Sequence, residues 1–202
     1  MDEKELYAQL GELTKNKDQW QANIGSVASL LTGRSSKIVG KSLWLLGEMG
    51  LLYPGEVSPF VEEIAAFLHA EDAFLRERAV NALGRIGRAD QTLVRPYWEK
   101  MFSLSDDENP NVRLAFIWAS ENIATNMPEA YEKYIPVFEE LLDDENVRVR
   151  MEAPEMFRVL GKRKPAYVRC CLDKLKTLAE HDADRVVRIH AGGAIKAISA
   201  SS

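Results

Sequence analysis

Arginine recurs through this chain at an almost constant spacing. Arg76, Arg113, Arg150 and Arg188 are separated by 37, 37 and 38 residues, and each follows an aliphatic residue: Leu75, Val112, Val149 or Val187. A planar guanidinium fork suits carboxylates and phosphates alike, so such a row can act as an anion clamp or as an internal ladder. Acidic residues lie a few positions upstream of every one, in Glu71-Asp72, Asp106-Asp107-Glu108, Asp143-Asp144-Glu145 and Asp182-Ala183-Asp184. With carboxylates that close at hand, the expected role is structural pairing.

Other reactive constellations are missing. His69, His181 and His190 show no H-x-x-x-H or H-E-x-x-H spacing, and no G-x-S-x-G, P-loop or G-x-G-x-x-G occurs. The histidines are expected to cap helices or lie on the surface, and no metal or cofactor is expected. The only cysteines are the adjacent Cys170 and Cys171, a pair that rarely bridges to itself and lacks zinc-ligand spacing. Cys171 falls on an apolar stripe and reads as a small core residue; a reducing cytoplasm fits best. The formal charge of -5 makes nucleic acid an unlikely partner, since phosphate binding needs clustered Lys and Arg, although a local basic patch stays open. No run approaches the roughly 20 apolar residues of a membrane span, and the acidic start Met1-Asp2-Glu3-Lys4-Glu5 has no apolar signal region.

The elements that must position these residues follow from the same period. After Arg76 come Ala79, Ala82, Leu83, Ile86 and Gly87; the matching sets are Phe116, Ala119, Ser120, Ile123 and Ala124, then Ala153, Met156, Phe157, Leu160 and Gly161, then Ala191, Ala194, Ile195, Ile198 and Ser199. One step back, Ile38-Val39 is followed by Ser42, Leu45, Leu46, Met49 and Gly50. This i, i+3, i+4, i+7 spacing predicts a helix buried along one stripe, here helix B. A second apolar stripe precedes each helix B in register, as in Val61, Ile64 and Leu68 or Ile135, Phe138 and Leu142, and predicts a helix A. The chain is thus expected to be all-α: five helical hairpins, at about 18–51, 56–87, 90–124, 128–161 and 164–199, behind an N-terminal capping helix within 1–16, forming one domain over 1–202. Asp and Asn in the turns should cap the exposed N–H groups at the start of helix B. Gly50, Gly87 and Gly161 are expected to end helix B as left-handed caps. Pro136 and Pro154 predict a kink or a late helix start.

Three columns of helix B fall outside the buried stripe and are expected to face a groove. They read Lys41, Arg78, Ala115, Glu152, His190; then Trp44, Asn81, Trp118, Glu155, Gly193; then Glu48, Arg85, Asn122, Val159, Ala197. Tryptophan is costly to leave in water and supplies much of the energy at interfaces. The predicted partner-binding set is accordingly Lys41, Trp44, Arg78, Asn81, Arg85, Trp118, Asn122, Glu152 and Glu155. The groove reads as aromatic and basic in its first half and acidic in the fourth repeat. The same tryptophans would also suit a packing role over the seam between repeats.

The stretch Leu75-Arg76-Glu77-Arg78-Ala79-Val80-Asn81-Ala82-Leu83-Gly84-Arg85-Ile86-Gly87 resembles the HEAT repeat, and the likeness extends over about 18–199. It implies a right-handed α-solenoid with helices B on the concave face. It also implies a structural ladder in which Asp106 and Asp143 join Arg76, Arg113, Arg150 and Arg188; Val39 replaces the arginine in the first repeat. The scaffold serves many functions, so function must come from the site.

The expected function is a non-enzymatic scaffold or adaptor whose concave face receives a protein or peptide. A helical partner is included: Trp44 and Trp118 are two repeats apart, about 20 Å at ordinary helix spacing. The alternative is a DNA-binding or alkylation-repair glycosylase-like protein, since some HEAT-like solenoids hold duplex DNA with tryptophans, basic residues and a carboxylate. Against it, Asn122 stands one turn after Trp118 where a carboxylate is wanted, and Glu152 and Glu155 oppose a phosphate backbone.

Overall fold

The computed structural model describes residues 2–200, and among them every regular element is helical. In chain order these are α1 (Glu3–Lys15), α2 (Trp20–Ala28), α3 (Ser36–Leu52), α4 (Pro54–Val57), α5 (Val61–Ala66), α6 (Ala73–Ala89), α7 (Trp98–Phe102), α8 (Pro110–Ala124), α9 (Ile135–Leu141), α10 (Val147–Gly161), α11 (Pro165–Val168), α12 (Leu172–His181) and α13 (Arg185–Ser199). Helices α3, α6, α8, α10 and α13 are the five expected helices B, and α1 is the extra helix at the start. Asp2 and Glu5 close a capping box on α1, which satisfies two exposed N–H groups at once.

Helix A differs from its expectation as a single rod. In every repeat it is a short α-helix preceded by a 3₁₀ turn, and in the first three repeats a second 3₁₀ turn follows it, as in Ser58–Phe60, α5 and Phe67–His69. A further short turn opens several repeats with proline in its first positions: Pro54 in α4, Pro128 at the head of a 3₁₀ segment, Pro165 in α11. Proline lacks an N–H and has its φ already set, so it starts a helix at little cost and prevents one continuing through it. Pro136 behaves likewise and gives α9 a late start at Ile135. Pro154 does not: α10 begins at Val147 and carries this buried proline inside it.

By internal contacts the chain divides into two compact units, Met1–Leu104 and Ser105–Ser202. In the first, α3 packs on α1, α2 and α6 around Trp20, Leu43, Leu45, Leu46, Met49, Ile64, Leu68 and Leu83, all at most 2% exposed. The Trp20 indole N–H, carried into this core, donates to the Leu13 carbonyl at 2.7 Å. In the second, α10 packs on α8, α9 and α13. Phe116 and Phe138 stack there with centroids 5.4 Å apart, and the buried Tyr131 hydroxyl pairs with Ser120. Leu75 departs from the predicted stripe and is only half-buried, whereas its equivalents Ile38, Val112, Val149 and Val187 are core residues.

The glycine expectation is corrected. Among the described residues no glycine has a positive φ, and α3 and α6 run two residues past Gly50 and Gly87. What glycine provides is close approach. A Cβ on Gly47 would meet the Ala82 backbone at 2.7 Å, on Gly50 the Ile86 side chain at 2.5 Å, and on Gly161 Ile198 at 2.7 Å. The missing side chains let neighbouring helices B touch at those points.

Candidate partner-binding site

The arginine row is bound into the turns. Each Nη1 donates to two backbone carbonyls just upstream: Arg76 to Ala70 and Glu71, Arg113 to Asp107 and Glu108, Arg150 to Asp144 and Glu145, Arg188 to Asp182 and Ala183. Arg113 also grips the Asp144 carboxylate of the next repeat through Nε at 2.7 Å and Nη2 at 2.8 Å. Arg150 Nε likewise reaches Asp182 at 3.0 Å. These aspartates in turn accept from the backbone N–H groups of Asn146 and Asp184, and Asn146 and Asp184 cap α10 and α13. The resemblance's Asp143 is therefore one residue out of register. Asp143 pairs instead with Lys174 at 2.7 Å. Burial opposes ionisation of Asp182, but the Asp184 N–H and the Arg150 guanidinium hold its carboxyl below the ordinary range. With Nη1 of every arginine, and Nε of Arg113 and Arg150, engaged internally, the row braces the turns.

In the first unit, Lys41, Trp44, Arg78, Asn81 and Arg85 are half-buried. Arg85 is not a free cation, because Glu48 holds its Nε at 2.5 Å. Lys41, Trp44 and Arg78 come together in a pocket of about 200 Å³ with Tyr7, Lys37, Gly40 and Phe74. Its α3 residues, 37, 40, 41 and 44, follow one helical face. Three cation–ring contacts line it: Lys37 over Tyr7 at 4.2 Å, Lys41 over Trp44 at 4.4 Å and Arg78 over Phe74 at 5.0 Å. Gly40 makes this possible, since a Cβ there would collide with the Phe74 ring. Burial and the nearby Arg78 charge pull the Lys41 ammonium below its usual pKa.

In the second unit, Trp118 is 37% exposed and Asn122 half-buried, its amide donating to the Trp118 carbonyl at 2.9 Å. Glu152 is half-buried and accepts a hydrogen bond from the Trp118 side chain; burial, only partly offset by that bond, raises its pKa. Glu155 is buried, pairing with Arg158 at 2.6 Å and facing His190 Nδ1 at 3.4 Å. Glu121 was not singled out in the sequence. One of its carboxyl oxygens is buried without a hydrogen-bond partner. Burial, then the Glu152 and Glu155 charges, push its pKa up to about 9 against the weaker pull of Arg158.

Sequence reasoning also missed Tyr7, Lys37, Gly40 and Phe74. Phe74 carried a signal: its column reads Lys37, Phe74, Asn111, Arg148, Val186, and an aromatic ring following Lys and preceding Asn and Arg is out of place on a solvated face. Glu121 lies in a column with Gly47, Gly84, Arg158 and Lys196, whose charged members follow two glycines. Tyr7 precedes the repeats and has no column.

Among the described residues no group of three His, Cys, Asp or Glu side chains is arranged to hold a metal ion, and no helix is long and apolar enough to cross a membrane. Residues 99–196 match the family model of HEAT repeats. No curated protein sequence matches the chain. Among solved structures, a designed armadillo repeat protein in complex with the peptide (KR)4 is similar over 98% of this chain and 94% of its own, with 21% identity and a TM-score of 0.73. Computationally designed armadillo repeat proteins for modular peptide recognition match over 97% of this chain and 94% of theirs, with 20% identity and a TM-score of 0.65. An engineered protein matches over 99% and 100%, with 20% identity and a TM-score of 0.68. Fold and likeness together define an α-solenoid of HEAT-like helical repeats.

Proposed function

We propose that this chain is a non-enzymatic scaffold that holds a protein or peptide segment against the outward faces of its B helices. The observation that carries the reading is Trp118: a large ring left in water, yet held in position by Glu152. A fixed, exposed aromatic is what an interface anchor requires. The carboxyl groups of Glu121 and Glu152 beside it suit a cationic side chain of the partner, whose charge would favour ionisation of Glu121. One of the structurally similar designed proteins is in complex with a peptide and others were designed for modular peptide recognition, which supports the same use of this surface. The two free cysteines suit a cytoplasmic setting. Glu152 beside Trp118, with Glu155 one turn along, disfavours the alternative, a DNA-holding or glycosylase-like role, because acidic groups repel a phosphate backbone.

Selection from a random-peptide display library tests the proposal. Wild type should enrich peptides with a basic residue near an apolar anchor, and Trp118→Ala should lose them. Enrichment that is the same for both proteins would remove Trp118 from any binding surface.

A further inference from the structure

The pocket between α1, α3 and α6 has no counter-charge. Lys37, Lys41 and Arg78 converge on it; among the described residues no Asp or Glu lines it, and none of the three cations is in an ion pair. Arg78 Nε is buried without an acceptor. Each cation rests on an aromatic ring, so the charges are positioned before anything binds. In a chain of net charge -5, such a concentration of positive charge is not a consequence of composition. The nearest acidic column member, Glu48, is engaged by Arg85.

We infer that this pocket takes the phosphoryl group of a phosphorylated serine or threonine in the partner segment, an inference that rests on the scaffold reading above. Its size is the first reason. About 200 Å³ lies below the roughly 300–1,000 Å³ of sites for drug-sized molecules, and matches a single side chain. Charge is the second. A carboxylate neutralises one of three cations, whereas a phosphomonoester brings roughly -1.5 to -2 and three acceptor oxygens. Those oxygens suit the Arg78 guanidinium together with two ammonium groups. Third, Tyr7 and Phe74 are 37% and 36% exposed at the rim, where they offer apolar contact to the residues flanking the phosphate. Lowering of the Lys41 pKa by burial and by Arg78 is relieved when a dianion enters.

The test uses the full chain, immobilised, and two degenerate peptide pools that differ only in a central phosphoserine or serine. The phosphoserine pool should be retained roughly tenfold or more over the serine pool, the scale of a charge-assisted site. That ratio should fall towards one in Arg78→Gln and in Lys37→Gln/Lys41→Gln, and stay unchanged in Lys176→Gln, which removes an exposed cation of the second unit. Lys37 is exposed, so its loss does not endanger the fold, and circular dichroism checks each variant. Equal retention of both pools, or of a third pool with glutamate at the centre, overturns the assignment. So does displacement by inorganic phosphate at the same concentration as phosphopeptide, or phosphate-dependent capture of anionic phosphatidylserine vesicles in place of peptide. Trp118-dependent retention without phosphate preference would sink this inference and leave the scaffold reading standing, whereas retention of no peptide at all sinks both.

Discussion

At the scale of single residues, Glu121 shows what a buried carboxyl costs. Its pKa is raised from 4.5 to about 9, so across that interval the folded protein keeps a proton that the unfolded chain has released. Stability contributed by this site is therefore present at low pH and falls as pH rises through the interval. Glu121→Gln removes the titration. In urea titrations the variant should match wild type near pH 4 and be the more stable by on the order of 1–3 kcal/mol near pH 8.5, the range for a buried polar group left unpaired. A difference that does not change with pH would mean that Glu121 is solvated and ionised in the fold. The neighbouring Glu152 and Glu155 contribute to the shift, so a cationic peptide seated beside Trp118 should lower it.

At the scale of the element, the phase of helix B decides which side chains are core and which are available. On α6, Leu83 is 0% exposed, while Asn81, two residues earlier, is half-buried. Leu83→Ala should cost about 2–5 kcal/mol, as buried leucines do; Asn81→Ala should cost well under about 1 kcal/mol. Equal losses in a urea titration would show that the phase is shifted. The phase was legible in the sequence because burial at 3.6-residue spacing is a local pattern. Helix A was less legible: its stripe was visible, but its division into short α and 3₁₀ pieces depends on prolines whose effect varies with position, as Pro136 and Pro154 show. The columns also misled in places. Ala115 shares the Arg78 column and is fully buried, and Glu155 shares the Trp44 column and is 8% exposed. A column fixes direction from the helix axis, whereas burial depends on what packs opposite.

At the scale of the molecule, charge is distributed unevenly within a chain that is acidic overall. The first unit holds the Lys37, Lys41 and Arg78 pocket, and the second holds Glu121, Glu152 and Glu155. Duplex DNA should bind at most weakly, in a salt-sensitive and sequence-independent way, because few phosphates can be neutralised. No base should be released from alkylated duplex. Base release that Trp118→Ala or Asn122→Ala abolishes would replace the scaffold reading with an enzyme.

The 37-residue echo by itself determined the helical hairpins, their number, the helix B core and the capping turns, since each is encoded within one period and repeated five times. Tertiary structure alone decided the rest. Which aspartate meets each arginine required the turn geometry, because Asp143 and Asp144 are adjacent in sequence but only Asp144 reaches Arg113. The role of Gly50 and Gly161 required the neighbouring helix, since a close approach leaves no trace in local propensity. The convergence of Tyr7, Lys41, Trp44, Phe74 and Arg78 required α1, α3 and α6 to be packed together. Lys41, Trp44 and Arg78 share the repeat spacing and were legible as a group, but Tyr7 precedes the repeats and the Phe74 ring reaches the pocket only across Gly40, so the fold alone could close it.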